Sequence, residues 1–255
     1  MNTTRRFALL AVLAALVLAP LLTGCGKSRP YLRSEGKAQR DVRDIIREDV
    51  TYAVDVYDPI EGWNRGVYRF NYYFDKYLFL PVTNTYSFLM PDPLEKGVHN
   101  AFRNIGEVNN FINCVLQGKV EGALVTFWRF FLNSTFGLAG LFDFATPAGL
   151  PRQNEDFGQT LGRWGAGPGS YLVLPVFGPS NVRDGIGLAG DFGINYFTDP
   201  VNLATDREYS TPYAILEAID TRNATAFRYY ASGSPFEYEL VRMLYMEMRT
   251  LEIAK

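Results

Sequence analysis

Apolar and polar positions divide this chain into distinct stretches. From Phe7 to Leu22 the residues are almost all Ala, Leu and Val, interrupted by Pro20. The chain is then polar and charged to about residue 57. Within it Val42, Ile45, Ile46 and Val50 have the spacing of a short amphipathic helix. From Asp58 onward apolar residues return at helical steps. Trp63, Val67, Phe70, Phe74 and Tyr77 form one stripe, which Pro81 is expected to end. A helix restarts after Pro91-Asp92-Pro93, with Asp92 as candidate N-cap, Pro93 at the first helical position, and Leu94, Val98, Phe102 and Ile105 on one face. Further helices are expected over Val108 to Leu116 and Lys119 to Leu132, separated by Gly118.

The texture then changes. "STFGLAGLFDFATPAGLP" and "EDFGQTLGRWGAGPGSYLVLPVFGPSNVRDGIG" are apolar but broken by Gly and Pro, and read as turns and short irregular pieces. Helix returns near the C-terminus. One is opened by Thr211-Pro212 and runs to about Ala231. Another is opened by Ser234, with Pro235 at its first position and Glu237 completing a capping-box pattern. Sustained period-2 alternation is scarce, and no repeat of solenoid length occurs. The class is mainly α, in one domain, with an irregular Gly/Pro-rich middle.

The N-terminus carries chemistry. Arg5 and Arg6 precede the apolar run, which is shorter than the roughly 20 residues of a spanning helix, and small residues follow. Residues 1–24 are therefore read as a secretory signal, 25–57 as a polar tether and 58–255 as the folded domain. Leu22-Thr23-Gly24-Cys25 resembles the bacterial lipobox. The resemblance implies a diacylglycerol thioether on Cys25, cleavage before it and N-acylation of the new terminus. The absence of aspartate directly after Cys25 implies onward export to the outer membrane. Several acyl chains anchor stably, each buried CH₂ contributing about 0.8 kcal/mol.

Composition narrows the function. Hydrophobic residues make up 47% and aromatic residues 15% of the chain, enough for a sizeable core. The formal net charge is −2, and no basic block suggests nucleic acid. With Cys25 lipidated, Cys114 has no partner and reads as a small core residue in "NNFINCVLQ". The single histidine, His99, leaves no His/Cys metal set, and no resident cofactor is expected. Gly178-Pro179-Ser180-Asn181-Val182 lacks the last glycine of a nucleophile elbow, and the context of Ser170 fails the same test. Glu155-Asp156 reads as a helix N-terminus before it reads as an acid–base pair. No catalytic residue is assigned. Two features stay open on periodicity alone. The Trp63 to Tyr77 stripe suits either a core or a membrane interface. The run Phe136 to Phe142 must be buried in protein or in lipid, and periodicity favours protein.

Three stretches carry a resemblance: "DPIEGWNRGVYRFN" (58–71), "FFLNSTFGLAGLFDFA" (130–145) and "EDFGQTLGRWGAGPGSYLVLPVFGPSNVRD" (155–184). In this order, after a lipobox, they resemble the VacJ/MlaA family of outer-membrane lipoproteins over Asp58 to about Asp199. Ser170 stands where the family usually has proline, and residues 205–255 are less family-like. The resemblance implies a helical ring in one leaflet of the outer membrane, on its periplasmic side, with an amphipathic channel. Phospholipids that have strayed to the outer leaflet would pass through it to a soluble periplasmic carrier, with a trimeric porin holding the ring and no enzymatic step. It moves Phe136, Leu138, Leu141 and Phe142 out of the core onto an apolar hairpin beside the channel. It places Asn71 and Tyr72 near a gating helix. The competing readings are a structural or adhesion-type envelope lipoprotein, and a lipase using Ser170 or Ser180.

Overall fold

The computed structural model describes residues 56–199, 206 and 208–255. Cys25, the signal, the tether to residue 55 and its short amphipathic helix lie outside them. Chain order is α1 (Glu61–Phe74), a π-helical turn (Asp75–Phe79), α2 (Leu80–Leu89), α3 (Asp92–Leu116), α4 (Val120–Thr135), α5 (Phe157–Arg163), β1 (Tyr171–Leu174), β2 (Gly178–Asn181), α6 (Val182–Thr198), α7 (Ser210–Ala224) and α8 (Glu237–Ala254). The strands form one antiparallel hairpin, with Tyr171 opposite Asn181 and Leu174 opposite Gly178. The fold is mainly helical, as the sequence predicts.

Several boundaries differ for physical reasons. Pro81 does not end the first helix. The backbone widens into the π turn just before it and continues to Leu89, which accommodates a ring that would clash in a regular helix. The two helices expected between Asp92 and Leu116 are one, since Gly106 is tolerated in a helix packed along its length. Pro91, not Asp92, is the N-cap of α3, with no side-chain bond. The capping box at Ser234 does not form. Phe236 N–H donates to Ser234 Oγ, while the Glu237 carboxylate accepts from the backbone N–H groups of Tyr230 and Ser232. Helix α7 stops at Ala224 rather than Ala231. Asp156 does cap α5, accepting from Gln159 N–H at 2.8 Å, and Glu155 pairs with Lys119 at 2.8 Å.

The interior is unusually polar. The buried face of α1 is Asn64, Val67, Tyr68, Asn71 and Tyr72, whereas Trp63, Phe70 and Tyr77 of the predicted stripe face outward. Helix α3 buries Asn104, Glu107, Asn110, Asn113 and Cys114 against the Ala123, Thr126, Arg129 and Asn133 face of α4. The expected Leu94–Ile105 face is not the buried one. Such burial is tolerable because the groups satisfy one another. Arg129 donates to Glu107 at 2.9 Å and to the Leu150 carbonyl at 2.5 Å. Asn133 Oδ1 accepts from the N–H groups of Phe144 and Ala145. The apolar core proper lies between α1, β1 and α8, where Val67 and Val173 pack with Tyr68, Tyr72, Tyr171, Tyr229 and Tyr238. Tyr68 donates to Glu237 at 3.0 Å and Tyr238 to Asp58 at 2.5 Å, so their hydroxyls have buried acceptors.

Arg249 joins three helices. From α8 it donates to the α5 cap Asp156 at 2.7 and 2.8 Å and to Asp184 of α6 at 2.8 Å. Burial pushes the Asp184 carboxyl up, but the Arg249 bonds outweigh it and hold it below the usual range. Removing one side of a buried pair costs about 3–5 kcal/mol. Arg249→Ala is therefore expected to lose about 3 kcal/mol in denaturant unfolding of the detergent-solubilised protein. An unchanged midpoint contradicts the joint. Asp143 supplies a pH test. Burial raises its carboxyl, but Thr146, Arg129 and Asn133 lower it to about 2. Its folded pKa lies below the unfolded value of about 3.9. Its stabilisation is thus complete above the unfolded value and is lost as pH falls from there through about 2. The melting temperature is expected to fall between pH 4 and 2, and to fall less in Asp143→Asn.

Candidate functional site

The elements close on themselves. Helix α1 packs on β1, the hairpin on α6, α6 on α3, α3 on α7, α7 on α2, and α2 returns through the π turn to α1. This ring surrounds a partly open cavity of about 1400 Å³. It exceeds the roughly 300–1,000 Å³ of drug-sized ligand sites. The walls are chiefly apolar, with Phe74, Phe79, Leu188, Phe192, Leu244 and Met248 among them. Polar and charged side chains interrupt them along α7, at the end of α6 and at the π turn.

Asn71 is among the lining residues, and its role is visible in its bonds. Its Nδ2 donates to the Leu174 carbonyl at 2.9 Å, and its Oδ1 accepts from Val176 N–H at 2.8 Å. Asn64, two turns earlier, does the same for the strand itself, donating to the Tyr171 carbonyl at 3.0 Å and accepting from Val173 N–H at 2.9 Å. An amide side chain offers one donor edge and one acceptor edge, as a peptide group does. Two asparagines on the buried face of α1 thus clip β1 and its turn. The turn, Val176 to Pro179, forms part of the cavity wall, and Val176 holds a positive φ of 71°. Tyr72 does not line the cavity. It is buried behind Asn71, edge-on to Tyr230, with Lys76 donating to its hydroxyl.

Phe136, Leu138, Leu141 and Phe142 lie on the loop after α4 and line no part of the cavity. All four are exposed, Leu138 at 65% and Phe136 at 61%, so the protein-core reading of this run is overturned. The loop is nevertheless firmly built. Leu138 and Ala139 both hold positive φ, a conformation costing about 1–2 kcal/mol per residue outside glycine. Gly140 N–H donates to the Asn133 carbonyl at 2.9 Å and Phe142 N–H to the Gly137 carbonyl at 2.9 Å. A Cβ on Gly137 would sit 2.2 Å from the Phe142 carbonyl oxygen, so only glycine fits. The backbone is anchored inward while the side chains stand outward.

The same inversion extends along α4, where Val120, Leu124, Phe127, Trp128 and Phe131 are exposed opposite its polar buried face. Among the described residues no helix is long and apolar enough to cross a membrane. The α1 stripe divides: Trp63, Phe70 and Tyr77 stand outward, whereas Val67 is buried in the core.

The hydrolase residues are not assembled. Ser180 is buried in β2, its hydroxyl donating to the Asn181 carbonyl. His99 Nδ1 instead lies 2.9 Å from Asp220 on α7. Cys114 is fully buried, as the sequence predicts. Sequence reasoning missed the contribution of α7 and α8 to the cavity. A signal existed in α7, where Ser210, Tyr213, Ala214, Glu217, Ala218 and Thr221 share one helical face.

Comparison with known proteins agrees with this geometry. The model of the MlaA lipoprotein family matches residues 56–252, extending the resemblance through the C-terminal helices. An uncharacterised protein of Rickettsia bellii is 32% identical over 202 residues, covering 78% of each chain. The intermembrane phospholipid transport system lipoproteins of Haemophilus influenzae and Escherichia coli are 30% and 36% identical. The first match covers 72% of this chain and 68% of that protein, the second 65% of each. A solved structure reported under "Structural basis for maintenance of bacterial outer membrane lipid asymmetry" superposes with a TM-score of 0.64 at 31% identity, over 77% of this chain and 98% of that one. With the family match running nearly the whole length of the folded body, this chain belongs to the MlaA lipoprotein family.

Proposed function

We propose that this protein is a non-enzymatic phospholipid conduit of the outer membrane, anchored on the periplasmic side by acyl chains on Cys25. The ring sits in one leaflet. Phospholipids mislocalised to the outer leaflet enter its cavity and leave toward a soluble periplasmic carrier, and a trimeric porin holds the ring in place. The observation that carries this reading is the large, chiefly apolar cavity within the ring of a body that also exposes many large apolar side chains. An ordinary water-soluble domain has no use for that inversion. The Haemophilus influenzae and Escherichia coli relatives, intermembrane phospholipid transport system lipoproteins, support the same reading.

Two parts receive roles. The hairpin carrying Phe136, Leu138, Leu141 and Phe142 presents apolar side chains to acyl tails on a backbone held fixed from inside. Asn71 and Tyr72 act as a gate through geometry. Asn71 pins the hairpin turn at the cavity wall, and Tyr72 packs α1 against Tyr230. The structural or adhesion reading accounts for the exposed surface but leaves the cavity without a purpose.

A deletion strain is expected to accumulate outer-leaflet phospholipid, measured by surface labelling. Wild-type protein should restore the normal level. Leu138→Asp combined with Leu141→Asp should fail to do so while remaining folded and membrane-associated. Full rescue by that variant contradicts the hairpin role, and no accumulation in the deletion strain contradicts the conduit. Deleting Asn71-Tyr72 shifts the rest of α1 relative to Asn64 and frees the turn. The expected result is uncontrolled lipid leakage to the outer leaflet, read as a gain of outer-leaflet phospholipid even beside the wild-type gene. Wild-type behaviour counts against the gate.

A further inference from the structure

The cavity is not uniformly lined. Helix α7 turns one face to it, through Ser210, Tyr213, Glu217, Thr221 and Arg222. Residues three and four apart stack on one side of a helix, so these groups, with Ala214 and Ala218 between them, make a polar track about 18 Å long. The other walls are chiefly aromatic and aliphatic, interrupted by Asn71 on α1, Asp75 in the π turn, and Asn195, Thr198 and Asp199 at the end of α6. A two-chain amphiphile placed there has its head on α7 and its tails against α1, α6 and α8.

The charges on that track are unequal. Among the described lining residues there is one cation, Arg222, against the carboxylates of Asp75, Asp199 and Glu217. Arg222 is already engaged. It donates to Asp75 Oδ2 at 2.7 Å and to the carbonyls of Thr225 and Phe227 at 3.0 and 3.2 Å. Its charge is neutralised by Asp75, and it ties α7 to the π turn. Glu217 differs. Among the described residues it accepts no hydrogen bond and joins no ion pair, though it faces the cavity. Its side chain is exposed to the cavity space, with Asp220 beside it and no cation paired to it among the described residues. Nearby Tyr213 is lifted to about 12 by burial and by Glu217 and Asp199.

On the conduit reading, we infer that Glu217 is a head-group selector, binding the ammonium of a zwitterionic amine-bearing phospholipid and disfavouring lipids whose head is purely anionic. An ammonium supplies the counter-ion that Glu217 lacks. The lipid phosphate lies toward the C-terminal end of the track, where Thr221 and the remaining donor of Arg222 are available. A head without an amine brings its negative charge to a wall that already carries unneutralised carboxylate. Discrimination therefore comes from repulsion as well as attraction.

The test uses full-length lipidated protein in detergent, equilibrated with vesicles of equal phosphatidylethanolamine and phosphatidylglycerol. Bound lipids are extracted and quantified by mass spectrometry. Wild type is expected to enrich the ethanolamine lipid about fivefold over the vesicle ratio, a modest shift in binding free energy. Glu217→Gln, nearly isosteric, should bind the two lipids near the input ratio. Glu217→Lys should reverse the preference. Glu247→Lys, exposed on the outside of α8, should behave as wild type. Lipid bound by wild type and Glu217→Lys in the same ratio overturns the selector and leaves the conduit standing. Wild type that retains no phospholipid overturns the conduit and the selector with it.

Discussion

The structure depends on one constraint: a body with an apolar exterior must satisfy its polar groups inward. Lipid offers no hydrogen bonds, and an unsatisfied polar group in an apolar medium costs several kcal/mol. This explains why α3 and α4 meet through asparagine, threonine, glutamate and arginine while Phe127, Trp128 and Phe131 stand outside. It also explains how a loop as irregular as residues 136–145 persists beside an apolar surface. Asn133 accepts from its backbone N–H groups at Phe144 and Ala145, partners that water would otherwise supply, and Arg129 holds the Leu150 carbonyl just beyond it. The polar interior is what lets this irregular backbone stand beside an apolar surface.

The same chemistry shapes the cavity. Two asparagines of α1 substitute for a neighbouring strand and fix the hairpin, and the hairpin turn becomes wall. The π turn brings Asp75 to Arg222 and so ties α1 to α7 across the cavity. Arg249 locks α5, α6 and α8 on another side. The cavity is thus bounded by specific polar joints rather than by one continuous apolar core. The tyrosine cluster between α1, β1 and α8 supplies the conventional packing.

Much of this was legible in the sequence, and the failures have causes. Helix content, the Asp156 N-terminus and burial of Cys114 followed from local pattern. The Trp63 to Tyr77 stripe does not hold as one face: Val67 packs in the core while Trp63, Phe70 and Tyr77 point outward, because the buried face of α1 is set by Asn64, Tyr68 and Asn71, which a hydrophobic count passes over. For the run 136–142 periodicity favoured protein, and the exposed side chains overturned that. The merger of two helices through Gly106 and the passage of the first helix through Pro81 are tertiary outcomes that local propensity misses. Glu217 and Arg222 were invisible as a site because α7 becomes a cavity wall only when α1, α3 and α6 close around it. The family resemblance, in turn, pointed to the hairpin and to Asn71. The structure adds what Asn71 holds.

The family match and the solved relative place this ring among proteins associated with outer-membrane lipid asymmetry. The central claim is that phospholipid occupies the cavity inside the ring. Its most direct test is a photo-crosslinking amino acid at Phe192, on α6 and facing the cavity, activated in living cells. The account predicts a covalent phospholipid adduct at that position, identified by mass spectrometry of the purified protein. A position 192 that never captures lipid, in folded and membrane-bound protein, contradicts it.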